Sequence, residues 1–274
     1  MSAPFTREQI LQVHSREYVD AVRSGSPSEL ASSSGFAWNK NTWSSVCGSN
    51  GGVVAAVHAA LRDGVAGSLS SGLHHARHDH GSGFCTFNGL VLGARAALDA
   101  GARGVLVVDF DAHCGGGTAS MMLTGMAQVD VSTSGFDSYE PFDQAWLRIV
   151  DLDRPLRPGS DMTPGERYLL MCQQALDAVT DTEAGFLSVD VDLCIYNAGM
   201  DPHEDCDTGG AVGIDEEILR RREHMVFEWC ASLEIPVAFV LAGGYTGARM
   251  SEGDLVNLHL LTVDAARQFW KEGR

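Results

Sequence analysis

The sequence predicts an α/β fold: a mostly parallel sheet with helices on both of its faces. Two observations carry that expectation. Short apolar runs alternate with stretches of helical period through almost all of the 274 residues, the pattern of parallel strands joined by crossover helices. Polar residues suited to chemistry gather just after the apolar runs, and sheets of this kind bind ligands at the carboxyl ends of their strands. With 45% hydrophobic residues the chain can build one sizeable core. Neither an internal repeat nor a linker divides it, so a single domain over residues 1–274 is expected.

Each element has its own signature. TREQILQVHSREYVDAVRSG opens with the capping-box pattern Thr6 to Gln9 and continues with helical periodicity. The Ser-rich piece from Ser24 to Gly35 reads as a short surface loop. GGVVAAVHAALRDG reads as a helix closed by Gly64, AGSLSSGL as a short strand, and NGLVLGARAALDAG as a helix that again ends in glycine. GVLVVDF is the clearest strand, GTASMMLTG a short helix, and MAQVDVST and WLRIVDL two further strands. Next come helix TPGERYLLMCQQALDAV, strand DLCIYNAG, helix DEEILRRREHMVFEWCASL and strand PVAFVLAGG, and a last helix from Ser251 to near Lys271.

Composition excludes several function classes. The net charge of −17 argues against a nucleic-acid phosphate backbone as partner, which needs clustered Lys and Arg. It is mildly compatible with a cationic amine, although a solubilising acidic surface explains it as well. The start MSAPFTREQI has no basic segment followed by an apolar one, as a secretory signal would. No apolar run is long enough to span a bilayer. The seven cysteines are scattered, without a CxxC pair, and read as reduced thiols of a cytoplasmic protein.

The polar residues at the strand ends are His74 and His75; Asp109, Asp111 and His113; Asp201 and His203; and Gly243, Gly244 and Tyr245. Side chains two apart on a strand share a face, so Asp109, Asp111 and His113 project together. Buried carboxylates without partners are very costly, and a cation at the strand end removes that cost. Asp and His both suit a zinc-like ion, Asp201 is a third candidate ligand, and three protein ligands with an open position mark a catalytic site. The run CGGGT lacks the GK[ST] ending of a phosphate loop and reads as a tight turn beside the site. His14, His58, His224 and His259 fall on helical patterns and read as ordinary helix residues.

Taken together, GLHHARHDHGSGFCTFNG, VVDFDAHCGGGT, NAGMDPHEDCDTGG, LAGGYTG and the early LQVHSREYVDAVRSG resemble the histone deacetylase superfamily, which includes acetoin-utilisation proteins and acetylpolyamine amidohydrolases. The resemblance implies a three-layer α/β/α arginase–deacetylase fold. It implies hydrolysis of an acetyl-amide by metal-activated water, with zinc as the ion and Fe2+ or Mn2+ also suited to two Asp and one His. Asp111, His113 and Asp201 would hold the metal. His75 would take the proton from water, with His74 assisting and Asp109 orienting His74. Tyr245 would donate to the substrate carbonyl and then to the oxyanion. Phe84, with Gly243 and Gly244, would wall the substrate channel, and a K+ site would draw on Asp109 and Ser132. The partner would be an acetylated amine, either a protein lysine, a polyamine or a small molecule.

Three departures from the family pattern matter. Gly116 stands where a polar residue would orient the second histidine, and His78 or His80 are candidate substitutes. Cys114 stands where a further His is usual. The family's first strand has no counterpart before His14. These departures motivate a rival reading, a deacetylase-fold protein that binds an acylated ligand without turnover. A further rival is an arginase-like ureohydrolase with two manganese ions. DAH at Asp111–His113 fits the start of its D-A-H-x-D motif, but the acid would fall at Gly115. SVDVD at Ser188–Asp192 resembles its second motif, yet Asp190 and Asp192 precede a strand instead of ending one.

Overall fold

The computed structural model describes residues 5–152, 161–180 and 190–272. Six strands, β1 (Val65–Ser68), β2 (Val105–Asp109), β3 (Met126–Ser132), β4 (Ala145–Ile149), β5 (Leu193–Ala198) and β6 (Val237–Leu241), form one sheet in the order β1-β6-β5-β2-β3-β4. Every pairing is parallel. From β2 the chain steps outward through β3 to β4, and from β5 it steps the other way to β6. The order therefore reverses between β2 and β5, which is where such a sheet leaves a crevice for a ligand.

Both sheet faces are covered, as the alternation of apolar residues requires. Leu106 and Val108 of β2 join the core formed with α7 (Pro164–Thr180), α8 (Glu216–Ser232) and α9 (Glu252–Glu272). Val105 and Val107 point the other way, into the core formed with α2 (Arg16–Ser24), α4 (Thr42–Asp63) and α5 (Gly89–Asp99). All five residues of β2 are fully buried, which is why its sequence is an unbroken apolar run up to Asp109.

Several elements depart from the sequence reading. The first helical stretch is two helices, because the Thr6 capping box closes only one turn, α1 (Arg7–Ile10), and Ser15 caps α2 separately. Helix α4 begins at Thr42, well ahead of GGVV, and carries Gly48, Gly51 and Gly52 in its interior. A Cβ at Gly52 would lie 2.8 Å from the Ser68 hydroxyl, so close packing on β1 outweighs glycine's poor helix propensity. GTASMMLTG forms a single turn, α6 (Gly116–Ala119). The Ser-rich segment contains α3 (Ser28–Ala31) and is not merely a surface loop. It buries Ser34, whose carbonyl accepts from the Phe84 N–H at 2.8 Å.

His14 lies between α1 and α2, outside any helix, and is fully buried. Its Nδ1–H donates to the Arg77 carbonyl at 2.8 Å, and its Nε2 accepts from the Asn88 N–H at 3.0 Å. Asn88 caps α5 and donates from its amide to the carbonyl of Ala76 at 3.1 Å. His14 thus ties the His74–Arg77 loop to the sheet's helical layer, and it does so only as a neutral ring, since Nε2 must stay an acceptor. Burial accordingly lowers its pKa to about 4. The stability from this neutral ring is complete above the unfolded value near 6.5 and is lost as pH falls toward 4, a window worth about 3 kcal/mol. Urea unfolding of wild type and His14→Gln should therefore show the wild type losing about that much more stability across this window. Parallel pH dependence in the two proteins rejects the role.

Candidate metal centre and active site

The switch point between β2 and β5 collects the predicted residues. Asp111 and His113 follow β2, and Asp201 follows β5, so pairing of the two strands brings the three groups together. One donor atom from each lies within 4.8 Å of the others. Asp201 accepts from the Ala112 N–H at 3.0 Å and from His113 Nδ1 at 2.9 Å. Asp111 accepts from the N–H groups of His113 and Gly243, each at 3.0 Å. Gly243 is required by this crowding, because a Cβ there would overlap both carboxylates.

Two buried carboxylates at this separation cannot both remain ordinary acids. Burial and the Asp111 charge push Asp201 up to about 7. Burial opposes ionisation of Asp111, but the His74 and His113 partners prevail and hold it below the carboxylate range. His113 would be lowered by burial, yet its two carboxylate partners raise it to about 10. The triad is a cluster of oxygen and imidazole donors that gathers positive charge, and its donor set fits a divalent ion with a position left open.

The tandem histidines stand beside it with ring centroids 3.9 Å apart. His74 Nδ1 donates to Asp109 Oδ2 at 2.8 Å, and Asn197 on β5 donates to the other Asp109 oxygen at 2.8 Å. Burial lowers the His74 pKa, but Asp109 and Asp111 outweigh it and leave His74 well above its ordinary value. Burial and the adjacent His74 charge lower that of His75, with Asp137 offsetting part of the effect.

A cavity of about 510 Å³ opens over these groups, lined among others by His75, His113, Tyr245, Phe84 and Phe136. Phe84 and Phe136 are half-exposed walls, and Phe136 meets His75 edge-on at 4.9 Å. Tyr245 faces Phe84 with centroids 6.3 Å apart, and burial followed by the Asp111 and Asp201 charges keeps its phenol protonated. Gly243 lies at the triad, whereas Gly244, at φ 143°, packs toward Leu255 and His259. The Ser132 hydroxyl donates to Asp130 at 2.8 Å, with no hydrogen bond to Asp109.

Some expectations require correction. His78 donates to the Val13 carbonyl and His80 pairs with Asp79, so neither orients His75. Cys114 is buried, burial and then Asp130 push its thiol up to about 12, and the thiol donates to the Ser134 carbonyl at 3.4 Å. Asp190 and Asp192, which the sequence already places ahead of a strand, hold Arg103 at 2.8 and 2.6 Å. Ser188 of that motif lies outside the described residues.

Three residues escaped the sequence reading. Asp137 and Phe136 sit in the loop after β3, where nothing periodic marks them. Arg222 hides in the charged run of α8, yet is fully buried. It donates to the Phe110 carbonyl at 3.0 Å and to the Gly199 carbonyl at 2.7 Å, bracing the ends of β2 and β5 beneath the triad.

Comparison with known proteins accords with this geometry. Residues 1–141 match the family model described as histone deacetylase domain. An uncharacterised protein of Picosynechococcus sp. is 31% identical over 261 residues, which cover 94% of this chain and 81% of that protein. Histone deacetylase 2 of Arabidopsis thaliana is 28% identical over 211 residues, 76% of this chain and 52% of the relative, so the match spans about half that relative's length. The solved acetylpolyamine aminohydrolase from Burkholderia pseudomallei is alike in fold, with a TM-score of 0.71 at 20% identity over 99% of this chain and 84% of that one.

A metal titration tests the triad. One divalent ion per chain is expected by elemental analysis, with affinity falling about 100-fold or more in Asp201→Ala. Equal affinity in the variant removes Asp201 from the ligand set.

Proposed function

The chain belongs to the histone deacetylase family, and from that membership we propose that it is a metal-dependent amidohydrolase that cleaves an acetyl-amide to acetate and a free amine. The observation that carries the proposal is convergence. The Asp111–His113–Asp201 triad, the His74–His75 pair and Tyr245 meet around one aromatic-walled cavity.

Asp111, His113 and Asp201 would hold the ion, zinc in this reading, with Fe2+ or Mn2+ compatible with the same donors. When bound, such an ion supplies Lewis acidity toward the acyl oxygen and toward water. The remaining work falls to the chain's own groups. His75, its pKa lowered by burial and by His74, is available as the base that takes a proton from the attacking water. His74, held positive by Asp109, stabilises the negative charge that develops. Tyr245, kept protonated, donates to the acyl oxygen as it becomes an oxyanion. As the carbon–nitrogen bond breaks, the proton on the histidine pair passes to the departing amine.

Phe84 and Phe136 favour a slender apolar stem between the acyl group and the rest of the substrate. Acetyl-lysine, an acetylpolyamine and a small acetylated amine all offer one. Asp109 and Ser132 are proposed to contribute to a K+ site. Among the described residues no helix is long and apolar enough to cross a membrane, which is compatible with a cytoplasmic enzyme. Residues 1–274 are taken as one deacetylase-like domain.

Turnover of a fluorogenic acetyl-lysine amide and of an acetylated polyamine tests the reading. Stoichiometric metal without turnover on either would favour the rival binding protein. Tyr245→Phe should keep its metal and lose about 10²- to 10³-fold in kcat. Full activity in that variant rejects the oxyanion role.

A further inference from the structure

Position 116 is glycine, and the space its side chain would take is already filled. A Cβ there would overlap the Asp137 carbonyl oxygen and lie 2.8 Å from both Cγ and Oδ1 of the Asp137 carboxylate. That carboxylate arrives from the loop between β3 and β4. Its Oδ2 accepts from His75 Nδ1 at 3.0 Å and from the Gly117 N–H at 3.1 Å. Its Oδ1 accepts from the Arg77 guanidinium. Asp137 adopts a φ of 58°, a conformation that Asp and Asn tolerate better than most residues and that folds the carboxylate back over Gly116.

The geometry points to Asp137 as the positioning residue of His75: its carboxylate replaces, from a different loop, the polar group that a residue at 116 would have supplied. This inference rests on the hydrolase reading of His75, although its structural half can be tested alone. The arrangement is complete in itself. A carboxylate that accepts at Nδ1 leaves Nε2 as the lone-pair nitrogen, the tautomer a base needs. Arg77 and the Gly117 N–H also donate to the carboxylate, so it stays ionised in a largely buried place. Burial alone would raise its pKa, but His75 and Arg77 together hold it below the usual range. Gly116 is then a consequence of the exchange and not a sign of lost activity, because a side chain at 116 and the Asp137 carboxylate cannot occupy the same space.

The arrangement also joins two tasks in one loop. Phe136, next in sequence to Asp137, is a wall of the cavity and packs on both His75 and His113.

The test compares wild type, Asp137→Ala and Asp137→Asn, with thermal midpoint and metal stoichiometry as controls for folding. Ring-nitrogen NMR of His75, assigned by its loss in His75→Asn, should show Nδ1 protonated in wild type and the tautomers mixed in Asp137→Ala. Unchanged ring signals overturn the assignment whether or not substrate is turned over. In kinetics, Asp137→Ala should lose about 10- to 100-fold in kcat with KM nearly unchanged. Asp137→Asn, whose amide oxygen can still accept from His75 and Gly117 although its amide NH2 then faces the Arg77 donor, should recover part of that loss. Wild-type turnover matched by Asp137→Ala overturns the positioning role and leaves the hydrolase reading intact. Absence of wild-type turnover on any acyl-amide overturns the hydrolase reading, while the NMR comparison still decides what Asp137 does to His75.

Discussion

Two carboxylates buried side by side set the terms for this molecule. Asp111 and Asp201 are 3% and 0% exposed, at the ends of neighbouring parallel strands. In a medium of low polarity their repulsion is tolerable only if positive charge sits between or beside them. Much of the surrounding structure answers that demand. Backbone N–H groups of Ala112, His113 and Gly243 point at the oxygens, His113 bridges them, and Gly243 leaves the space bare of side chain. A bound divalent ion would satisfy the same demand more fully, and it is the need for charge that turns the end of a hydrophobic strand into a chemical site.

Rigidity around that site comes mostly from buried polar groups that grip backbone carbonyls. Arg222 holds the carbonyls of Phe110 and Gly199 under the triad. His14 and Asn88 hold those of Arg77 and Ala76 beside the tandem histidines. Groups of this kind keep a geometry because each alternative leaves a buried donor or acceptor unpaired. The His75–Asp137–Arg77 chain has the same logic at the edge of the cavity, where Asp137 and the wall residue Phe136 share one loop.

The layers of the fold were legible because strand and helix leave different periods in the sequence. The unbroken apolar run of β2 and the Asn88-capped helix α5 are legible at nearly their observed places, and Gly64 marks the end of α4 though not its start. Errors fell where tertiary packing overrode a local signal. CGSNGG is glycine-rich, yet it lies inside α4, where Gly52 packs against the Ser68 hydroxyl of β1. The stretch after the Thr6 capping box looks like one helix, but α1 stops at Ile10 with Leu11 as its C-cap, and Ser15 caps another.

For the site, the sequence alone determined which side chains reach the carboxyl ends of the strands. Spacing in the sequence puts Asp109 on the last residue of β2 with Asp111 and His113 in the turn just beyond it, where alternation no longer applies, and distinctive motifs mark His74, His75, Asp201 and Tyr245. Only the tertiary structure decided who partners whom. Asp137 meets His75 across 62 positions of sequence, and Arg222 meets Phe110 across 112. Such pairings have no period and no motif, because they depend on how loops and helices pack after the sheet has formed. Gly116 read by itself as a missing group, and became intelligible once the carboxylate filling its place could be seen arriving from elsewhere in the chain.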